Sequence, residues 1–401
     1  MMNRSFFVLG WVGLAVGTYF HTSAALVPEP KFRSVNVDTN IAIGYGVVVA
    51  DIDGDKRPDL VLCDKNQVAW YHNPGWEKHV VAENLTKLDH VCVAAQDLDG
   101  DGKAELAVGA GWNPGDTVGS GAVFYLEPPL DRTQPWKPVR LPHEPTVHRM
   151  RWVKDDQNRW TLVVVPLHGR GNKEGEGDGV KIHRYTPPAS PGGEWSVSLL
   201  ADRLHKTHNF DPIQWDDDVA VELLVGGKEG VFVVNWSREK SSYTLEQLTG
   251  GENGGVGEVR LSASGGKRHF IATVEPMHGN TLALYTPPAG SSASGPHWSR
   301  RVLDESLVDG HALAVGDLLG LGSDQIVVGW RAMNRPGVKV GIKILTSLDA
   351  EGKEWRTTVL DDNTMACEDL CLADLNGDGK LDVIAAGRGT HNLKIYFNER
   401  P

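Results

Sequence analysis

The 401-residue sequence predicts an all-β chain folded as a seven-bladed β-propeller of four-stranded blades, closed by a strand from its N-terminal end. Three observations predict it. A block of four short strands recurs seven times, its apolar runs are broken by Gly, Pro, Asn and Asp, and no segment reads as a long amphipathic helix. The 46 Gly and 13 Trp suit tight turns and Trp-led outer strands.

The first strands follow Tyr45 (GVVVAD), His90 (VCVAAQD), His148 (RMRWVKD), His208 (NFDPIQW), Glu258 (VRLSAS), His311 (ALAVGD) and Glu368 (DLCLAD). Their starts lie roughly 45 to 60 residues apart, which suits one propeller blade. Second strands begin at Asp59, Glu105, Thr161, Glu222, Phe270, Gln325 and Asp382. Third strands read QVAWYHN, AVFYLEP, VKIHRYTPP, GVFVVNW, TLALYTPP, GIKILTS and NLKIYFN. Six fourth strands separate consecutive copies, and the seventh copy reaches Pro401 without one. The segment KFRSVNVD from Lys31 has the length and polarity to supply it, which leaves no open sheet edge.

Arg4, the apolar stretch between Phe6 and Phe20, and the small residues Ser23, Ala24 and Ala25 read as a secretory signal over residues 1–25. The expected mature domain is 26–401, secreted or periplasmic, with no membrane span. A formal charge of −12 argues against nucleic acid as a partner, because that affinity rests on Lys and Arg displacing counterions. Cys63, Cys92, Cys367 and Cys371 are too few and too scattered for a disulfide framework.

The turns between first and second strands carry carboxylates at alternate positions around a Gly. They comprise Asp51, Asp53, Asp55 and Asp59 in the first copy, Asp97, Asp99, Asp101 and Glu105 in the second, and Asp374, Asn376, Asp378 and Asp382 in the seventh. Oxygen ligands so spaced wrap calcium, so about three structural calcium ions are expected. The other four copies, with Asp155, Asp216 to Asp218, Ser264, and Asp317 with Asp324, do not recreate the pattern.

First strands of a propeller begin on the face opposite these turns, so Tyr45, His90, His148, His208, Glu258, His311 and Glu368 should ring the channel mouth. Loops between second and third strands bring Lys65, Trp112, His168, Lys228, Glu275, His278, Arg331, Arg388 and His391 to the same face. Imidazole is a common ligand for zinc and similar ions. His90, His148 and His208, on adjacent blades, are the expected ligands of a divalent transition metal (zinc or manganese), with His311 and Glu368 as substitutes or supporting groups. His168, His278 and Tyr45 are the acid–base candidates. Lys65, Lys228, Arg331 and Arg388 are candidate oxyanion clamps, and Trp112 and Trp330 are flat faces for a sugar ring. The Gly-rich stretch after His168 is expected to be a mobile loop over the pocket.

The pieces DHVCVAAQDLDGDGKAELAVGAGWNP, TVHRM at His148 and KTHNFD at His208 resemble the propeller of fungal aldos-2-ulose dehydratases and their bacterial FG-GAP/VCBS relatives. That resemblance implies a metal-assisted carbon–oxygen lyase on keto-sugars. A C–H beside the ketone is deprotonated, and a hydroxyl or glycosyl group leaves the next carbon. His90, His148 and His208 match histidines of that pattern by position. With the chain ending at the propeller, elimination is expected without the isomerisation assigned to the cupin domains of the fungal enzymes. Two other readings stay open: a non-catalytic module for glycans or proteins, and a uronate-directed polysaccharide lyase using the Lys and Arg set.

Overall fold

The second strands are nearly continuous runs of Val, Leu, Ile and Ala, the signature of strands packed on both faces. In the computed structural model they are the buried middles of their sheets, as in β3 (Asp59–Cys63) and β27 (Asp382–Gly387). The structure describes residues 27–400 apart from 190–192, 217, 238, 241, 263, 265–269, 289–297, 334–335 and 350; the signal-peptide reading falls outside the described residues.

The described residues form 28 strands in seven antiparallel four-stranded sheets. Blades 1 to 6 span residues 46–83, 92–141, 147–201, 207–249, 259–304 and 310–362. Blade 7 joins residues 367–398 to the N-terminal strand. Its first strand, β26, is Cys367–Ala373. The other first strands are β2 (Gly46–Ala50), β6 (Cys92–Gln96), β10 (Val147–Lys154), β14 (Thr207–Ile213), β18 (Val259–Ser262) and β22 (Gly310–Gly316). They touch one another in cyclic order, with β26 against β2, and so enclose a central channel.

No core is common to all blades. Seven apolar layers lie between neighbours, exemplified by Trp70 with Leu106, Met150 with Val123, Phe210 with Val163, Trp215 with Trp298, Leu282 with Ile326, Ile344 with Tyr396, and Leu60 with Ile395. The expected closure is present. β1 (Phe32–Asp38) pairs antiparallel with β28 (Asn392–Asn398), from Phe32 opposite Asn398 to Asp38 opposite Leu393. The chain then crosses to blade 1, where the buried carboxylate of Asp64 accepts the N–H groups of Ala42, Ile43 and Gly44 at 2.7, 2.7 and 3.0 Å. Gly44 has φ +69°, and a Cβ there would lie 2.8 Å from that of Ala386. The four cysteines are free thiols.

Four first strands break register at the same place. Pairing skips His148 between Val147 and Arg149, His208 between Thr207 and Asn209, His311 between Gly310 and Ala312, and Glu368 between Cys367 and Asp369. Each is a β-bulge, which leaves a residue outside the ladder and re-aims its side chain. Blade 2 has no such shift after His90.

Asp64→Ala leaves three N–H groups of the closing segment without their acceptor. We expect a loss of about 3 kcal/mol in urea unfolding, at the upper end for bonds to a charged group, against a change of a few tenths for the exposed Glu399→Ala.

Candidate site at the channel mouth

The bulges decide where the imidazoles point. A bulged residue keeps its carbonyl outside the ladder, and two of those carbonyls receive a histidine from the preceding blade. His148 donates from Nδ1 to the carbonyl of His208 at 2.8 Å, and His311 donates from Nδ1 to that of Glu368 at 2.6 Å. His208 donates from Nδ1 to the Gly257 carbonyl at 3.2 Å, with Oε1 of Glu258 3.1 Å away. All three rings carry their proton on Nδ1, which leaves each Nε2 as the basic nitrogen.

Each Nε2 then meets a different neighbour. That of His148 accepts from Nη1 of Arg149 at 3.1 Å. That of His208 lies 2.7 Å from Nε2 of His278, which sits in the loop between β19 (Phe270–Glu275) and β20 (Thr281–Thr286). One ring nitrogen from each of His208, His278 and His311 lies within 4.8 Å of the others. His208 and His311 are buried, while the His278 side chain keeps 40% of its surface open. The expected triad of His90, His148 and His208 is therefore not the set brought together. His90 is fully buried, and its Nε2 accepts the Leu85 N–H at 3.2 Å within the connector between blades 1 and 2.

Burial holds all these rings neutral. It lowers His148, aided by the Arg149 guanidinium, and lowers His311, aided by Arg331. It lowers His208 despite the Glu258 carboxylate, and lowers His278 with help from His208 and Arg331. Burial opposes ionisation of Glu258, but the His208 hydrogen bond with Arg149 and Arg260 outweighs it and holds that carboxyl at about 2.

The rim closes on itself. Arg331 donates to Asp309 (3.0 Å) and to Glu368 (2.5 Å), and its Nη2 lies 3.5 Å from Nδ1 of His278. Arg388 donates to both oxygens of Glu368 at 2.8 and 3.1 Å and lies over the Tyr45 ring. The Tyr45 hydroxyl donates to Asp89 at 2.9 Å, and Asp89 pairs through its backbone with Trp112. The Trp112 indole stacks on His148 with centroids 4.8 Å apart. The imidazoles thus occupy blades 3 to 6, and Tyr45 with Asp89 faces them from blades 1 and 2. Burial and the Asp89 bond keep the Tyr45 phenol protonated, so it is an acid and not a base.

Most of the other expected residues are already engaged. Glu368 is held by two guanidiniums rather than free for a metal. Lys228 is spent on Glu176 and on the Glu174 carbonyl, and Lys65 is exposed beside His90. His168 is buried, its backbone bonded to Thr146, and lies outside the imidazole set. Trp330 is buried, with its indole N–H on the Lys339 carbonyl. Glu275 binds Tyr285 and Arg300, and His391 binds the carbonyls of Ile41 and Ala42. The Gly-rich stretch is tied to blade 2 through Arg170 and Thr117 and to blade 4 through Lys206 and Lys228, as a bridge rather than a loose flap. Asp89 was not singled out from sequence, although it directly precedes His90 in the same lead-in.

On the opposite face, the acidic turns share one geometry. Asp51 accepts the N–H groups of Gly54 and Lys56, Asp97 those of Gly100 and Gly102, and Asp374 those of Gly377 and Gly379. Oxygens of Asp51, Asp53 and Asp59, and of Asp97, Asp99 and Asp101, lie within 4.8 Å of one another. Asp55 caps the Arg57 N–H, and in the seventh copy Asn376 and Asp378 cap the N–H groups of Asp378 and Lys380. Asp59, Glu105 and Asp382 also cap the N–H groups of Ile52, Leu98 and Leu375. The fourth copy, read as degraded, brings Asp216, Asp218 and Glu222 together at the spacing of Asp53, Asp55 and Asp59. There Gln214 replaces the first Asp, and its amide donates to the carbonyls of Asp216 and Asp218.

Among known proteins, an FG-GAP-like repeat model matches residues 51–108 and an FG-GAP repeat model matches residues 93–126. The aldos-2-ulose dehydratase of Phanerodontia chrysosporium is 25% identical over 239 residues, which cover 54% of this chain and 26% of that protein. The chain thus spans about a quarter of that relative's length. A chain of the Mitotic Checkpoint Complex structure is similar with TM-score 0.56 and 13% identity, covering 98% of this chain and 99% of that one. The Cps50 (Swd1) β-propeller domain of Myceliophteria thermophila has TM-score 0.52 and 10% identity, covering 92% and 99%. BBS1N, solved with ARL6DN, has 0.53 and 16%, covering 92% and 96%. At these identities the structural likeness is one of fold. Among the described residues, no helix is long and apolar enough to cross a membrane.

The neutral, buried imidazoles carry a pH signature. His148 has a lowered folded pKa, so the unfolded chain takes up its proton first as pH falls below 6.5, and stability falls with it. In chelator-treated protein, His148→Asn should flatten the decline in unfolding free energy below pH 6.5 by up to about 1.4 kcal/mol per pH unit, one proton's worth. Urea titrations at stepped pH measure that difference.

Proposed function

We propose that this FG-GAP-repeat propeller acts on a keto-sugar bound across the channel mouth, as a carbon–oxygen lyase. The observation that carries the reading is the convergence of His208, His278 and His311 opposite the Tyr45–Asp89 pair. The donor set suits a divalent transition metal, zinc or manganese. The rings are neutral, and two of them have Nδ1 on a backbone carbonyl, the support that metal-ligating histidines receive. Tetrahedral zinc–nitrogen bonds of about 2.0–2.1 Å need ligand nitrogens roughly 3.4 Å apart. The 2.7 Å contact between His208 and His278 must therefore open, and the partly exposed His278 is the ring free to move. Bound there, such an ion polarises a ketone oxygen and acidifies the adjacent C–H.

The chain's own groups supply the proton steps. The Asp89 carboxylate takes the proton from the carbon beside the ketone, and the Tyr45 phenol gives one to the departing oxygen. Proton return from Asp89 to Tyr45 across their 2.9 Å bond restores both groups, for a net loss of water or an alcohol. Trp112, partly exposed and seated on His148, offers an apolar face to the sugar ring. A uronate-directed lyase is disfavoured, because Arg331, Arg388 and Lys228 already pair with Glu368, Asp309 and Glu176. The relative's name supports the sugar class, an aldos-2-ulose.

We also propose structural calcium in the turns of blades 1, 2 and 7. In blade 4 the Gln214 amide stands where a cation would, so that turn needs none.

With an aldos-2-ulose as probe, ultraviolet absorbance of an enone should appear. Tyr45→Phe and Asp89→Asn should each slow it about 100-fold or more while leaving bound metal unchanged. His311→Ala should remove both, and His90→Ala neither. Retained zinc or manganese in His311→Ala would overturn the donor set, and absence of the enone product would overturn the lyase reading. Mild EGTA treatment should release calcium and lower the melting temperature. Gln214→Asp should raise the calcium count by one per chain, and an unchanged count would overturn the amide-for-cation reading.

A further inference from the structure

Below the imidazoles the channel holds a second chamber. It is a cavity of about 420 Å³ near the acidic-turn end, lined by Val47–Val49, Leu370–Ala373 and four charged residues, Arg151, Asp211, Arg260 and Asp369. A polar layer separates it from the mouth. Arg149 and Asn209 close on the buried Glu258, with the Asn209 amide donating to that carboxylate. The four charges come from four blades, on strands β10, β14, β18 and β26.

Their pairing is incomplete in a specific way. Arg151 donates from Nη1 to the Met150 carbonyl at 2.8 Å, and Arg260 from Nη1 to the Val259 carbonyl at 2.6 Å. A guanidinium has five N–H donors, so most of each fork remains unspent. Among the described residues Arg260 reaches Glu258, at 3.9 Å, and Arg151 has no carboxylate within ion-pair distance. Asp369 accepts the Val47 N–H at 2.9 Å and Asp211 the Leu261 N–H at 3.2 Å, each through Oδ2. Neither aspartate makes an ion pair with either arginine, although all four line one chamber. Half-buried charges held apart across a cavity are costly unless something polar fills the gap and bonds to both signs.

We infer that this chamber is a binding site for a small carboxylate that also carries hydrogen-bond donors, a hydroxy acid or an amino acid. The Arg151 and Arg260 forks take the ligand carboxylate, and Asp211 and Asp369 accept from its hydroxyl or ammonium groups. The apolar walls of Val47–Val49 and Leu370–Ala373 limit its size, and 420 Å³ lies within the range of small-molecule sites. The site is independent of the chemistry proposed at the mouth, because no residue is shared between the two.

Calorimetric titration of the full chain with gluconate, malate, glutamate and serine tests it, with chloride and inorganic phosphate as controls. We expect saturable binding of one molecule per chain for at least one carboxylate. Arg151→Gln and Arg260→Gln should each weaken it tenfold or more, and His311→Ala should leave it unchanged. Preference for gluconate or malate marks a hydroxy acid, and preference for glutamate or serine an amino acid; either supports the site. Arg151→Lys, which keeps the charge and loses the fork, should show a smaller loss and guards against a folding defect. Three outcomes overturn the inference: no binding by any probe, meaning a chamber holding water only; equal binding of chloride or phosphate; or loss in His311→Ala without loss in the arginine variants.

Discussion

Closure of the ring is the constraint on which everything else depends. Because the apolar layers lie between blades and not beneath them, a blade is stable only with a neighbour on each side, and the ring has no end blade to spare. β1 provides both the seventh outer strand and, through the crossing held by Asp64, the link to blade 1. That link also sets the mouth. Tyr45 follows directly on Gly44, so the residue facing the imidazoles is placed by the segment that closes the ring.

Within that frame, local irregularity arranges the imidazoles. A regular ladder would spend every carbonyl of the first strands on its own blade. By skipping His208 and Glu368, the ladder frees their carbonyls for His148 and His311 on the preceding blades. Bulges at His148, His208 and His311 re-aim those side chains in turn, so one backbone device both aims an imidazole and fixes the tautomer of its neighbour. Blade 2 shows the converse. With no register shift after His90, that ring bonds to the connector from blade 1, and Trp112 takes its place on the rim.

This explains what could be read in advance. Strand periodicity, seven repeats, the closing strand and the face on which the histidines lie follow from local patterns, because apolar alternation and turn residues act over a few positions. Membership of the imidazole set does not. His90, His148 and His208 occupy equal places in the sequence repeat, and nothing in their neighbours marks which blades carry a bulge. His278 is missed as a partner for His208 for the same reason, since a loop residue with φ 55° depends on the turn that carries it. The clamps Arg331 and Arg388 look free in sequence because their carboxylates, Glu368 and Asp309, come from elsewhere in the chain. Gln214 was legible in principle: its turn keeps the nine-residue spacing of the calcium-type copies with one oxygen ligand exchanged for an amide.

The turn of blade 6 shows why the two faces are separate. There Leu319 and Leu321 stand where Asp53 and Asp55 stand in blade 1, so the turn lacks the two middle carboxylates. Asp317 nonetheless accepts two N–H groups of its turn, those of Leu321 and Gly322, and Gln325 caps the Leu319 N–H, where Asp51 accepts those of Gly54 and Lys56 and Asp59 that of Ile52. The turn thus owes its shape to the first acid and the strand-initial cap, and the middle carboxylates are additions to it. Such additions do not reach the mouth, because the Arg149–Glu258 layer and the chamber of Arg151 and Arg260 lie between. The imidazole end and the acidic turns can therefore vary independently on one set of strands.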